Sequence, residues 1–202
     1  MNIIYLLFHG LSPYSGISKK ILHQVKGFEA CGHRVSLCTY SIADNGHRVR
    51  MINNEIIEDY GTGKPAAAKR RVSYQCIYRY AVTHQVELIY VRSFHNANPF
   101  TIRLFSKLRK AGIKIAMEIP TYPYDSEYAG FPLVTRLGIQ VDKVFRKTLA
   151  KHVNAIVTFS DYHCIFGQRT IQISNGVDFD SIPLKKTVAK NTSVIHLLGV
   201  AE

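Results

Sequence analysis

The feature that most constrains this chain is an alternation. Short apolar runs rich in β-formers, over residues 3–8, 34–40, 87–91, 114–119, 155–159 and 170–173, are separated by longer stretches with helical period. Runs this short and this continuously apolar suit strands covered on both faces. Helices are predicted between them over 17–30, 65–83, 99–110 and 133–151, with a short helix near 161–166. Strands alternating with helices predict an α/β fold: a doubly wound, mostly parallel sheet with helices on both faces and right-handed crossovers. The stretch HRVRMINNEIIEDYG departs from the alternation and reads best as two short strands around Asn53-Asn54, or as a strand with an excursion.

The helical stretches carry their own punctuation. In the first, Ile17, Ile21, Leu22, Val25 and Phe28 share a face, and Gly32 is placed to end it. Pro65 suits the first turn of the second, with Val72, Cys76, Ile77 and Tyr80 facing inward. In the last, Leu133, Leu137, Val141, Val144 and Phe145 form an apolar stripe that reads as core-facing. Opposite it runs a basic stripe of Arg136, Gln140, Lys143, Lys147 and Lys151. That stripe is either an ordinary solvated face or a surface lying against anionic lipid.

Composition narrows the partners. The 202 residues are 47% hydrophobic, enough for a sizeable core, and 20% charged, which argues against disorder. A net charge of +12 favours nucleic acid, anionic headgroups or phosphorylated substrates. Nucleic acid is the least expected, because no recognition motif is present and the basic residues are not interleaved with aromatics on one element. Cys31, Cys38, Cys76 and Cys164 form no C-x-x-C pair, so no metal site is expected and the thiols read as buried and reduced. The N-terminal run lacks a basic region and a cleavage site. No run reaches the ~18 apolar residues of a membrane span. The expected location is the cytoplasm, with peripheral attachment at the inner face of the cell membrane.

Doubly wound sheets bind ligands outside the carboxyl ends of their strands. The loops there hold the candidate residues. Gly16, beside Ser15, stands where the first helix begins; it can let a phosphate approach the free amides, or it can serve only a tight turn. Neither G-x-G-x-x-G nor a Walker lysine motif follows the first strand, which counts against a dinucleotide enzyme. Arg92 can grip a phosphate or make a structural ion pair. His95, close by, is a ligand contact or an exposed loop residue. Glu118 ends an apolar strand, where it can take a proton from an acceptor hydroxyl, bind a sugar, or cap backbone amides. Tyr122 and Tyr124 follow it and suit a sugar ring or brace their loop. Ser160 closes the 155–159 run, and Asn175-Gly176 is a hairpin turn or a chain reversal near a ligand.

Three segments together resemble the N-terminal half of family 4 retaining glycosyltransferases, enzymes of two Rossmann-like domains (the GT-B fold). SGISKKILHQVKGFEACGHRVSLCT is similar to the glycine loop, first helix and second strand of that family. VNAIVTFSDY is similar to the strand and serine before the interdomain region, and ISNGVDFDSIP to the segment closing the N-terminal domain. MEIPTYPYDSEY resembles a loop of some polysaccharide-forming members. Many relatives place a histidine after the strand that here ends in Glu118-Ile119-Pro120; none stands there.

The resemblance implies an acceptor-binding domain over 1–185, then over 186–202 a linker and the first strand of a donor-binding domain. It implies transfer of a sugar from a nucleotide-sugar donor to a saccharide acceptor, lipid-linked on this reading, with retention at the anomeric carbon and no other cofactor or metal. Gly16 is the position carried over from the glycine loop that faces the donor phosphates, with Ser15 and Ile17 as amide donors. Residues 1–202 are expected to be inactive without the donor half. The alternative is a non-catalytic module that binds a saccharide or lipid-linked sugar. Oligomeric state is not fixed by the sequence.

Overall fold

The computed structural model describes residues 1–92, 96–123 and 133–174, the side chains of 133–135 excepted. In chain order the elements are β1 (Asn2–Leu6), α1 (Gly16–Ala30), β2 (Arg34–Ile42), β3 (Arg48–Ile52), β4 (Glu55–Asp59), α2 (Gly63–Val72) and α3 (Gln75–Thr83). There follow β5 (Leu88–Arg92), α4 (Pro99–Lys110), β6 (Lys114–Glu118), α5 (Leu133–Ala150), β7 (Ala155–Thr158), β8 (Cys164–Ile165) and β9 (Gln168–Gln172).

Their strands form a sheet in the order β4-β3-β2-β1-β5-β6-β7-β9-β8. The central ladders from β2 through β1, β5, β6 and β7 to β9 are all parallel. Antiparallel strands lie only at the edges, where β3 and β4 extend β2 and β8 folds back on β9. This is the doubly wound, Rossmann-like α/β fold expected. β1 stands between β2 and β5, so the winding reverses beside it, and a crevice is expected at that reversal.

The two faces are packed unequally. On one face Ile4, Leu6, Ile89, Val91, Ile115, Met117 and Ile156 meet Ile77, Leu104, Phe105, Leu108, Leu149 and Ala150 from α3, α4 and α5. On the other, Ile3, Tyr5, Leu7, Tyr90 and Val157 pack with Ile21 of α1. The period-2 alternation along β1 and β5 therefore feeds two cores.

Local chemistry sets the element ends. Asn98 caps α4 by accepting from the Phe100 and Thr101 amides at 2.9 and 3.1 Å, and Thr101 Oγ1 accepts from the Asn98 amide at 3.0 Å. Pro99 fills its first turn, and Lys107, Arg109 and Lys110 sit at its negative end. At Gly10 the loop after β1 runs against β2: a Cβ there would lie 2.8 Å from the Tyr40 carbonyl oxygen.

Five expectations are corrected, the first being Val72, which is 43% exposed at the end of α2 rather than facing inward. The 65–83 helix is two helices, because Ser73 is extended (φ −101°, ψ 108°) and Tyr74 restarts the turn by donating its hydroxyl to the Arg71 carbonyl at 2.8 Å. No helix covers 161–166; the chain there makes β8 and turns at Phe166-Gly167, both with positive φ. On α1, Ile17 and Leu22 are exposed: Ile17 lies in the first turn, and Leu22 is about 100° round the helix from buried Ile21. On α5 the apolar stripe through Leu137, Val141 and Val144 faces outward, at 58, 45 and 71% exposure, while Ile139, Asp142, Leu149 and Ala150 face in. Asp142 is drawn inward by the Ala97 amide, which donates to it at 2.9 Å. Among the described residues no helix is long and apolar enough to cross a membrane.

Candidate functional site

Strand register builds the site. β5 and β6 pair so that Arg92 stands beside Glu118, with Tyr90 one pleat behind Arg92 on the same face. α1 crosses this face and brings Lys20 and Gln24, one helical turn apart, over the strand ends. The result is a closed network. Arg92 Nη1 donates to Glu118 Oε1 at 2.6 Å. Tyr90 Oη and Gln24 Nε2 donate to Oε2 at 2.7 and 2.9 Å. Tyr5 Oη then donates to Gln24 Oε1 at 2.6 Å.

Burial makes the network stiff. Glu118 has no solvent exposure and Arg92 only 7%. Desolvation, reinforced by the Glu118 charge, pushes the Tyr5 and Tyr90 phenols well above their ordinary range, so both stay neutral donors. Burial, then repulsion from Arg92, lowers the Lys20 ammonium. Lys20 Nζ lies 3.7 Å from the centre of the Phe159 ring, which ties the second turn of α1 to the end of β7. Two cations against one carboxylate leave this corner of the rim net positive.

Around the network lie the other described candidates. Ser15 caps α1, its hydroxyl accepting from the Ser18 amide at 3.4 Å, and Gly16 and Ile17 are exposed beside it. Ser18 is buried and its hydroxyl holds the Ser12 amide at 2.9 Å, which fixes the path of the first loop. Ser160 Oγ accepts from the Tyr122 amide at 2.9 Å, joining the loops after β6 and β7. The Tyr122 ring packs edge-on against Tyr162 and Phe166, at 5.0 and 5.5 Å between centroids. That makes Tyr122 a brace for its loop.

Two sequence readings are narrowed here, Arg92 to its structural ion pair. Glu118 is not an open base: both its oxygens are taken and no face of it meets solvent. Arg92 is committed to Glu118 and shapes the rim from behind. His95, Tyr124 and Asn175-Gly176 lie outside the described residues. Arg136, Lys147 and Lys151 are exposed and Lys143 half-buried, all on or just after α5 and apart from the network.

Sequence reasoning missed Tyr5, Lys20, Gln24, Tyr90 and the fully displayed Tyr14, which is 94% exposed in the first loop. The signal for three of them was present: Tyr90 shares a strand face with Arg92 by period, and Lys20 and Gln24 share a helix face. Among the described residues no three His, Cys, Asp or Glu side chains gather as metal ligands would. No family model matches the chain, and neither the curated proteins nor the solved structures give a significant match.

Proposed function

We propose that the chain is the acceptor-binding, Rossmann-like half of a retaining glycosyltransferase that moves a sugar from a nucleotide-sugar donor to a saccharide acceptor of cell-surface polysaccharide synthesis. The observation that carries the reading is convergence at one rim. The start of α1, the Arg92–Glu118 pair and the Ser160–Tyr122 link all stand at carboxyl ends of β1, β5, β6 and β7, and Lys20 on Phe159 joins the first to the last.

On this reading the exposed Gly16 and Ile17 amides at the positive end of α1 meet the donor phosphates. Lys20 adds a charge where negative charge builds on the leaving diphosphate. The buried network holds α1 and the strand ends in fixed relation, so these donors are in place before transfer. Tyr14 offers an exposed ring to a sugar. No protein base is required of Glu118; the departing phosphate takes the acceptor proton.

Attachment at an anionic membrane surface belongs to the same proposal. Exposed Leu137, Val141 and Val144 run along α5 about 90° round the helix from exposed Arg136 and Lys147, beside that basic strip rather than opposite it, which suits a helix lying in a headgroup layer. The acceptor is then a lipid-linked saccharide presented at that surface.

The test is transfer from a panel of radiolabelled nucleotide sugars to membrane lipid extract, with the protein as its gene encodes it. Label is expected in the lipid fraction, and Gly16→Asp is expected to cut the rate by about 100-fold or more by placing a like charge against the diphosphate. Saccharide binding without transfer from any donor overturns the catalytic reading in favour of a binding module.

A further inference from the structure

Along the same rim, under α2 and α3 and on the sheet face away from α1, three arginines gather without an acidic partner among the described residues. Arg50 is 1% exposed. Its Nη1 donates to the Leu7 carbonyl, at the end of β1, at 2.7 Å, and its guanidinium lies 5.8 Å from the Phe8 ring centre. Arg48, two residues earlier on the same strand face, donates Nη1 to Tyr40 Oη at 2.6 Å. Arg70, from the last turn of α2, lies over the Tyr40 ring at 4.2 Å. The Nε of each of these arginines is buried and has no hydrogen-bond partner among the described residues.

Among the described residues no negative charge answers them. The described residues include no ion pair to any of the three arginines, and Glu58, opposite Arg50 across the β3–β4 ladder, pairs with Arg79 at 3.7 Å instead. The groups that do face Arg50 are neutral at physiological pH. Burial pushes the Cys38 thiol up to about 11 and raises the Tyr60 phenol and the Cys76 thiol above their ordinary values. An arginine cannot shed its charge to escape burial. A buried guanidinium held by the Leu7 carbonyl and by the neutral Tyr60 and Cys38 side chains, with two more guanidinium groups beside it, has no countercharge among the described residues.

We infer that Arg48, Arg50 and Arg70 form a binding site for a phosphoryl oxyanion. Arg50 is its floor, and half-buried Arg48 and Arg70 are its lip, with the Tyr40 ring and hydroxyl fixing both. Guanidinium forks match phosphoryl oxygens in geometry as well as charge. The site lies beside the end of β1, since Arg50 grips the Leu7 carbonyl and the Tyr40 amide donates to the His9 carbonyl at 3.3 Å. Resting on the proposed transferase, this assigns the acceptor a phosphate or diphosphate, as a lipid-linked or free sugar phosphate carries.

Calorimetric titration tests the site without any transfer. The chain is titrated with inorganic phosphate, inorganic pyrophosphate and glucose 1-phosphate, with acetate as the carboxylate control. Wild type is expected to bind pyrophosphate or glucose 1-phosphate at least tenfold more tightly than acetate, and Arg70→Gln and Arg48→Gln to lose at least tenfold each. Tighter binding of glucose 1-phosphate than of inorganic phosphate identifies a sugar-borne group as the source; the reverse order identifies the free ion. Arg50→Met is expected to abolish binding while raising the ligand-free thermal midpoint, because it removes an unanswered buried charge. Binding of equal strength in wild type and in the Arg48 and Arg70 variants, or no preference over acetate, overturns the inference. Sugar transfer with no such binding leaves the transferase standing and sinks only the anion site; binding with no transfer does the opposite.

Discussion

Glu118 has no solvent contact, and Arg92 is the cation bonded to it, at 2.6 Å. Arg92→Met strands that carboxylate and is expected to lower stability by about 3–5 kcal/mol, read from the midpoint of a denaturant titration at constant slope. A second residue-scale expectation concerns the thiols. The sequence suggests four buried cysteines, but Cys31 and Cys164 are exposed, while Cys38 and Cys76 are buried with raised pKa. Iodoacetamide at pH 8 is expected to add two adducts quickly to the native protein and two more only on denaturation, counted by intact mass. Glu118 and Arg92 were visible as charges ending apolar runs. That they would meet was not, because the Arg92↔Glu118 register is fixed by the whole sheet. Gln24 and Tyr5 were hidden for the same reason: their partners lie 94 and 19 residues away.

At the level of elements, capped and glycine-terminated segments were legible and those without punctuation were not. α4 follows from Asn98-Pro99 and Gly112, whose φ of +80° ends the helical run. The break between α2 and α3 has no Gly or Pro to announce it; Ser73 and the Tyr74 hydroxyl make it. α5 carries apolar residues on two faces, so period alone could not say which is buried. Its outward Leu137, Val141 and Val144 have a measurable consequence. Sedimentation with vesicles containing anionic lipid is expected to pull the chain down in a salt-sensitive way. The double variant Leu137→Asp/Val141→Asp is expected to weaken binding at least tenfold with an unchanged unfolding midpoint, since both positions are already exposed. Equal binding by variant and wild type would overturn the proposed attachment through α5.

For the whole molecule, strand–helix alternation was enough to reach a doubly wound sheet, because parallel neighbours need crossovers and crossovers have one hand. The antiparallel β3–β4 extension and the β8–β9 return were less visible, being short edge elements whose pairing is set by their neighbours. What the fold contributes to function is position. It sets the exposed amides of α1, the Lys20 charge and the Ser160–Tyr122 link on one rim, and the three arginines farther along it. Amide-resolved NMR of the ¹⁵N-labelled chain, titrated with a pyrophosphoryl-sugar headgroup analogue, reads directly whether that rim is where ligand binds. The account predicts shifts concentrated at Gly10, Ser15 to Ser18, Arg48, Arg50, Arg70, Tyr122 and Ser160. Shifts confined to β4 or to the β8–β9 edge, or none at saturating ligand, would contradict it.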